Sequence, residues 1–315
     1  MIPYKSVFLS ILIPFAAYAA TTGIHHTSGN ISKPGTSFAD TGANIIASNA
    51  KPKLISGQFK FTEGPAVNKN GDIFFTDITE NKIWKFSTEG QLSLFLDQTG
   101  HSDGMYFDKK GNLITAADEK NEIWSISQDK KIKVLLDNYE GKRFNGPNDL
   151  WIDRKGGIYF TDPYYQRPYW ERKKPDIDGQ HVYYLPKGKK SAFIVDSNVV
   201  KPNGIIGSAD GKNLFVADIG GQKTYKYDIN KNGKLTNRRL FADMGSDGIT
   251  LDERGNLYLT GQGITVFNPE GKKIEHIPIP GWTANVCFGG KNREYLFITS
   301  NTSVYTLSMK VRGIR

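Results

Sequence analysis

Six acidic or amide residues recur along the chain in the same context, an oxygen-bearing side chain at the start of a short apolar segment. They are Glu63, Asp103, Asn148, Asn203, Asp247 and Asn285. Consecutive members are 38 to 55 residues apart, and four of the six precede a glycine. Carboxylate and amide oxygens are the ligands that hard divalent cations prefer. The set therefore predicts one cation site, provided that the fold brings its members together.

Four of these residues form the predicted ligand set of that cation, namely Glu63, Asn148, Asn203 and Asp247. Two carboxylates balance the charge of a divalent ion, and two amides add neutral oxygens, which favours Ca²⁺. Mg²⁺, Mn²⁺ and Zn²⁺ stay open as alternatives, although the five histidines show no zinc-ligand spacing. For any single residue the alternative is that an Asx-Gly pair simply builds a turn.

The segments that must position these residues form a repeat of three or four short strands. Each copy runs from the oxygen-bearing residue through a Gly-centred turn to a second apolar strand that ends near an aspartate, as in Phe74-Phe75-Thr76-Asp77. Repeats of this length with several strands are typical of propeller blades. The six copies predict an all-β, six-bladed β-propeller. The last copy has room for about three strands, so an N-terminal strand from residues 44–55 is expected to close the last blade. A β-sandwich is the alternative.

Antiparallel strands alternate in direction, so the first residue of every first strand is expected at one end of a central channel. The aspartates that end the second strands lie near the same end, and they are Asp77, Asp118, Asp162 and Asp218. Asp103 and Asp162 are expected to contact a bound substrate there. The alternative for such an aspartate is a structural role, capping a backbone turn.

The longest interval between copies contains a segment rich in aromatic and charged residues, at positions 164–175. It follows a second strand, which places it at the same end of the channel as the oxygen-bearing residues. We expect a lid in which Tyr165, Arg167 and Trp170 stack on or hydrogen-bond a polyhydroxylated ring. A solvated surface excursion is the alternative.

The N-terminus predicts export to the periplasm or secretion. Residues 1–20 resemble a signal peptide, with Lys5 before an apolar run that ends in Ala17-Tyr18-Ala19. Residues 21–43 are small and polar, as in a flexible leader, and 44–315 form the predicted propeller domain. An uncleaved membrane anchor is the less favoured alternative because the run is short for a bilayer. No stable membrane insertion is expected after signal removal.

Composition excludes several other classes of protein. The 315 residues carry a formal charge of +9, but the basic residues are scattered among turns, which does not favour a nucleic-acid partner. The single cysteine, Cys287, forms no internal disulfide and is expected to be a buried small hydrophobe. The sequence contains no phosphate-binding glycine loop or paired-cysteine motif. The oligomeric state stays open.

Several longer motifs resemble one known family. They are FTEGP at 61–65, GKRFNGPNDL at 141–150, YFTDP at 159–163, KPNG at 201–204, SDG at 246–248 and TANVCFGG at 283–290. In this order they resemble the regucalcin and gluconolactonase family, also called senescence-marker-protein-like, of six-bladed β-propellers. The resemblance implies a divalent ion, usually Ca²⁺, held by Glu63, Asn203 and Asp247, with Asn148 as a further ligand or substrate contact.

The resemblance also implies hydrolysis of a sugar-acid lactone, with a small-molecule sugar lactone as the substrate. Asp247 is the expected catalytic proton acceptor by analogy with the family. A carboxylate bound to a dication is a poor base, so either Asp247 leaves the ion during the reaction or water activated by the ion attacks with help from Asp103. Two alternatives stay open: a non-enzymatic carbohydrate-binding propeller with a structural calcium, and a phosphotriesterase-like hydrolase using the same site.

Overall fold

The computed structural model describes residues 44–314, all of whose regular elements are β-strands. The predicted signal peptide (1–20) and leader (21–43) lie outside the described residues. No helix in the described part of the chain is long and apolar enough to cross a membrane. The all-β prediction is confirmed.

The first strand, β1 (Lys53–Ser56), precedes four sheets of four antiparallel strands each. The first sheet contains β2 (Thr62–Val67), β3 (Ile73–Asp77), β4 (Lys82–Phe86) and β5 (Leu92–Asp97). The second contains β6 (Ser102–Phe107), β7 (Leu113–Ala117), β8 (Glu122–Ile126) and β9 (Ile132–Leu136). The third contains β10 (Leu150–Ile152), β11 (Ile158–Asp162), β12 (His181–Leu185) and β13 (Phe193–Asp196). The fourth contains β14 (Pro202–Gly207), β15 (Asn213–Asp218), β16 (Lys223–Ile229) and β17 (Leu235–Ala242).

The last part of the chain joins two repeats through one long strand. Its strands are β18 (Ile249–Leu251), β19 (Leu257–Phe267), β20 (Lys273–Gly289), β21 (Tyr295–Ser300) and β22 (Ser303–Ser308). The first part of β20, as far as Trp282, pairs with β19, whereas its second part, from Thr283, pairs with β21. The strand β1 pairs antiparallel with β22, with Lys53 opposite Thr306. The predicted N-terminal strand beside the last repeat is therefore confirmed.

The second strands of the first three sheets are entirely buried, because neighbouring sheets cover both of their faces. Every residue of β3, β7 and β11 is buried, which explains apolar runs such as Ile158-Tyr159-Phe160. Apolar clusters lie between adjacent sheets, and one of them joins Trp151 and Tyr159 of the third sheet to Phe215 of the fourth. The fourth strands β5, β9 and β17 are largely exposed.

The first strands of the repeats lie against one another in cyclic order. The strand β2 contacts β6, β6 contacts β10, β10 contacts β14, β14 contacts β18, and β18 contacts β20. The second part of β20 returns to β2. This arrangement places the beginnings of all six first strands close together, although they are distant in sequence.

Candidate active site

The structure brings the six oxygen-bearing residues together, and we call them the ring residues. Four lie within first strands, Glu63 in β2, Asp103 in β6, Asn203 in β14 and Asn285 in β20. Asn148 and Asp247 come two residues before β10 and β18. Five of the six are at most 8% exposed, and Asp247 is partly buried. The ring residues thus form a desolvated polar cluster at one end of the first strands.

Hydrogen bonds between amides and carboxylates join the ring residues across repeats. Nδ2 of Asn148 donates to Oδ2 of Asp103 at 2.9 Å, and Nδ2 of Asn203 donates to Oδ1 of Asp247 at 2.7 Å. In the same way, Nδ2 of Asn285 donates to Oε2 of Glu63 at 2.9 Å. Because the amide nitrogens are used in this way, the carbonyl oxygens of Asn148 and Asn203 are the atoms that they can offer to a ligand.

Local backbone geometry aims these side chains at one another. The pairing of β2 with β3 shifts register between Glu63 and Ala66, a β-bulge that redirects the Glu63 side chain. Gly64 has φ +50°, and a Cβ there would lie 2.0 Å from the carbonyl oxygen of Asp103. The glycine is therefore needed because the next repeat approaches so closely. The pair Glu63-Gly64 lies inside the strand β2, so it does not form the simple turn that was the alternative for an Asx-Gly-like pair.

The electrostatics of the cluster are dominated by buried carboxyl groups. Burial, followed by the neighbouring charges of Asp247 and Asp103, raises the pKa of Glu63 well above its ordinary value. Burial also raises the pKa of Asp103, although the Arg167 guanidinium opposes this effect. Burial raises the pKa of Asp247 to about 6, against hydrogen bonds from Trp282 and Asn203.

The donor set fits a hard cation. Three carboxyl groups share the desolvated cluster, and Arg167 is the cation that acts on both Asp103 and Asp247. Bringing a divalent cation to the cluster would offset their mutual repulsion, and the available donors are all oxygens. Between residues 44 and 314, no group of three or more His, Cys, Asp and Glu side chains is arranged to hold a metal ion. The predicted set differs from such a group because two of its four members are amides.

The aspartates that end the second strands have two different roles. Oδ2 of Asp162 accepts from the amide of Asn145 at 3.0 Å, and its Oδ1 accepts from the amide of Gly146 at 2.8 Å. Asp162 is fully buried, so a contact with substrate would require these bonds to break. Asp77 and Asp218 accept backbone amides in the same manner.

Asp118 is the exception, because it holds the expected lid segment. Its Oδ2 accepts from Nε of Arg167 and from the hydroxyl of Tyr169, each at 2.6 Å. Its backbone carbonyl accepts from Nε1 of Trp170 at 3.0 Å. Trp170 is only 5% exposed, so it anchors the segment from beneath. A ring stack of Tyr169 on His101, with centroids 4.0 Å apart, completes this attachment.

Two side chains of the lid segment reach the ring residues. Arg167 forms a second ion pair with Asp103, with Nη2 and Oδ2 3.3 Å apart. The hydroxyl of Tyr165 accepts from Nδ2 of Asn203 at 3.2 Å, and burial raises its pKa. Nζ of Lys201 lies 4.5 Å from the centroid of the Tyr165 ring. The segment therefore lies at the ring end of the first strands.

Sequence reasoning missed one residue that touches the ring. Nε1 of Trp282 donates to Oδ2 of Asp247 at 2.7 Å. Asp247 consequently accepts a hydrogen bond on each of its oxygens, from Trp282 and from Asn203. The only signal was that Trp282 immediately precedes the motif at 283–290. Trp282 lies 35 residues after Asp247, at the end of the part of β20 that pairs with β19, so no local spacing pointed to the contact.

Comparisons with known proteins place the chain among lactonase relatives. A sequence model of the SMP-30/Gluconolactonase/LRE-like region matches residues 61–302. The gluconolactonase of Zymomonas mobilis subsp. mobilis is 28% identical, over 96% of each chain. A gluconolactonase structure from Xanthomonas campestris has a TM-score of 0.79 at 27% identity, covering 86% of this chain and 92% of that one. Regucalcin from Agrobacterium tumefaciens, a calcium-binding protein, shares the fold with a TM-score of 0.70 at 17% identity, over 84% and 95% of the two chains.

Proposed function

Because the chain belongs to the SMP-30/gluconolactonase/LRE-like family, we propose that it is a lactonase that hydrolyses a sugar-acid lactone with the help of one divalent cation. The observation that carries this proposal is the convergence of Glu63, Asn148, Asn203 and Asp247 in one buried cluster that has more carboxylate than cationic charge. Gluconolactonase is the activity named for the Zymomonas relative, which aligns with nearly the whole chain.

The architecture that we propose is a six-bladed β-propeller. Cyclic contact among the six first strands and the shared fold of regucalcin support it. In this arrangement β20 contributes to the fifth and sixth blades, and β1 is the outer strand of the sixth. The ring residues then lie at one mouth of the central channel.

The ligand set that we propose is Glu63, Asn148, Asn203 and Asp247, with Ca²⁺ as the preferred ion and Mg²⁺, Mn²⁺ or Zn²⁺ as alternatives. When bound, the cation would polarise the lactone carbonyl as a Lewis acid. The hydrogen bonds within the ring fix the orientation of the two amides, so that their carbonyl oxygens are available. The calcium-binding regucalcin relative supports the choice of ion.

The residues of this chain then have distinct tasks. Asp247 is the proposed proton acceptor for the attacking water, and hydrogen bonds from Trp282 and Asn203 hold its carboxylate in place. Asp103 holds Asn148 and Arg167, which makes it a positioning residue as well as a proposed substrate contact. Tyr165 and Arg167 lie at the ring end and would contact the hydroxyl groups of the lactone. Trp170 and Asp162 support the segments that present them.

Replacing Asp247 by Asn tests the assignment of the proton acceptor. Asn keeps an oxygen ligand but removes the basic carboxylate. We expect Asp247→Asn to bind Ca²⁺ in a calorimetric titration while lactone turnover in a pH-stat assay falls by at least 100-fold. Full turnover in this variant would contradict the role of Asp247 as the base. Loss of Ca²⁺ together with turnover would instead assign Asp247 to the metal site alone.

Chelation experiments on the wild-type protein distinguish a lactonase from a protein in which calcium is purely structural. If the cation serves structure alone, chelation lowers the melting temperature but no lactone or ester is hydrolysed with or without Ca²⁺. The phosphotriesterase-like alternative is distinguished by adding a phosphotriester to the substrate panel.

We further propose that the protein acts in the periplasm or outside the cell, because residues 1–20 have the pattern of a signal peptide. N-terminal sequencing of the mature protein tests this localisation.

A further inference from the structure

A cavity extends along the first strands away from the ring residues. It has a volume of about 330 Å³, which is within the range of about 300–1,000 Å³ found for small-molecule sites. One end is bounded by Gly64, Asp149 and Asn285, next to or within the ring. The other end opens among the turns that follow the first strands, near Lys69 and Lys109. We call this space the axial cavity.

The walls of the axial cavity are apolar. Its lining includes Val67, Phe107, Ile152, Ile206, Leu251 and Phe288, which come from all six repeats. Val67, Phe107 and Ile152 pack against neighbouring core clusters but are only partly buried, so part of each side chain remains accessible. Apolar walls offer no hydrogen bonds to water molecules in the cavity. An aliphatic or aromatic ligand group would instead bury this apolar surface, which is favourable.

The open end of the cavity is basic. Lys69, Lys109 and Arg154 occupy the same turn position in the first three repeats, and all three are exposed. Nζ of Lys109 donates to the carbonyl of Arg154 at 2.7 Å, and Nη2 of Arg154 donates to the carbonyl of Ala209. These bonds lay the two side chains along the rim of the opening. Among residues 44–314, neither forms an ion pair with a carboxylate.

The carboxylates at the opening already accept hydrogen bonds from backbone amides of their own turns. Oδ1 of Asp108 accepts from the amides of Lys110 and Asn112, each at 2.8 Å. Oδ1 of Asp153 accepts from the amides of Lys155 and Gly157, and its Oδ2 accepts from the hydroxyl of Tyr184. The remaining carboxyl group of the lining, Asp149, lies at the ring end. The distribution of charge therefore favours an anion at the open end and an apolar body inside.

We propose that the axial cavity binds a small amphipathic carboxylate, with its apolar chain between the first strands and its carboxylate against Lys109 and Arg154. This site is separate from the proposed lactone site, and its ligand is neither substrate nor product there. A sugar acid is unsuited to it because its hydroxyl groups would face apolar walls without partners. The inference does not depend on lactonase activity.

Calorimetric titration with decanoate tests the proposal on the full mature chain. We expect one molecule of decanoate to bind per chain, at least ten-fold more tightly than decanol, which lacks the charge, or butyrate, which lacks the chain. The double variant Lys109→Glu/Arg154→Glu reverses the charge at the opening and is expected to weaken decanoate binding at least ten-fold. Its lactone turnover and melting temperature are expected to match those of the wild type.

The matched control is Lys187→Glu/Lys189→Glu, which makes the same charge change at exposed positions beside a smaller groove of about 150 Å³. We expect it to bind decanoate within two-fold of the wild type. Absence of saturable binding, a stoichiometry above one, or equal affinity for decanol would overturn the proposal. So would equal weakening by the two double variants, since that would reflect overall charge and not this opening.

Val67→Phe, which fills the cavity from its wall, is expected to reduce decanoate affinity without changing the charge.

Discussion

Nε1 of Trp282, at the end of the part of β20 that pairs with β19, lies 2.7 Å from Oδ2 of Asp247 and donates a hydrogen bond to it. A hydrogen bond to a charged group contributes about 1.5–3 kcal/mol. If this bond positions the proton acceptor, Trp282→Phe should lower lactone kcat roughly 10- to 100-fold with a smaller change in KM.

The control for this variant is Trp84→Phe. Nε1 of Trp84 is buried and has no hydrogen-bond partner among the described residues. Its removal should leave kcat unchanged within two-fold. Equal effects of the two substitutions on kcat would show that Trp282 acts through general packing and does not position Asp247.

Gly64 lies where the second repeat closely approaches the first. An alanine there would combine an unfavourable positive φ with a Cβ 2.0 Å from the carbonyl oxygen of Asp103. We expect Gly64→Ala to lower the free energy of unfolding by about 3 kcal/mol or more. Gly90 has φ +81° but nothing within 4 Å of a Cβ, so Gly90→Ala should lower it by only about 1 kcal/mol. Urea denaturation measures both values, and equal losses would refute the close-approach argument.

Arg167 links the lid segment to two buried carboxylates, Asp103 and Asp118. Arg167→Met leaves both carboxylates without this partner, and breaking such buried pairs costs about 3–5 kcal/mol. We expect a lower melting temperature and a higher KM for lactone. Arg143→Met removes the exposed ion pair with Asp176 from the same region. That pair should contribute no more than about 1 kcal/mol, so thermal melting curves that shift equally would contradict the importance of the Arg167 contacts.

Cys287 lines the axial cavity, and burial raises its pKa to about 12. Its thiolate fraction at neutral pH is therefore very small. We expect a disulfide reagent to modify Cys287 only after denaturant is added, and Cys287→Ala to keep full lactone turnover. Rapid modification of the folded protein, followed with a chromogenic thiol reagent, would refute the buried environment.

The sequence predicted the elements of the fold that depend on pattern. The recurring Asx-Gly and Thr-Asp signals located the first and second strands, and the short last repeat predicted the pairing of β1 with β22. The convergence of Glu63 and Asn285, which are 222 residues apart, followed from the repeat alone. These features could be predicted because strand period and repeat length reflect local chemistry.

Repeat length and strand period do not predict which side chains of the connecting segments contact each other. The bond from Trp282 to Asp247 joins residues 35 positions apart through the path of β20, and the double ion pair of Arg167 depends on the path of the lid segment toward the second repeat. The sequence is compatible with a capping role for Asp162, but only the positions of the Asn145 and Gly146 amides distinguish that role from a contact with substrate. The cationic rim of Lys109 and Arg154 looked like scattered surface charge in the sequence.

The most direct test of the proposed function is a pH-stat assay of glucono-1,5-lactone before and after removal of divalent cations. We predict that the mature protein hydrolyses the lactone, that removal of metal by a chelator abolishes turnover, and that added Ca²⁺ restores it. In Glu63→Gln, Ca²⁺ should restore turnover poorly, because the ring has lost one of its two charged ligands. Undiminished turnover by a preparation shown by elemental analysis to contain no divalent metal would contradict the account.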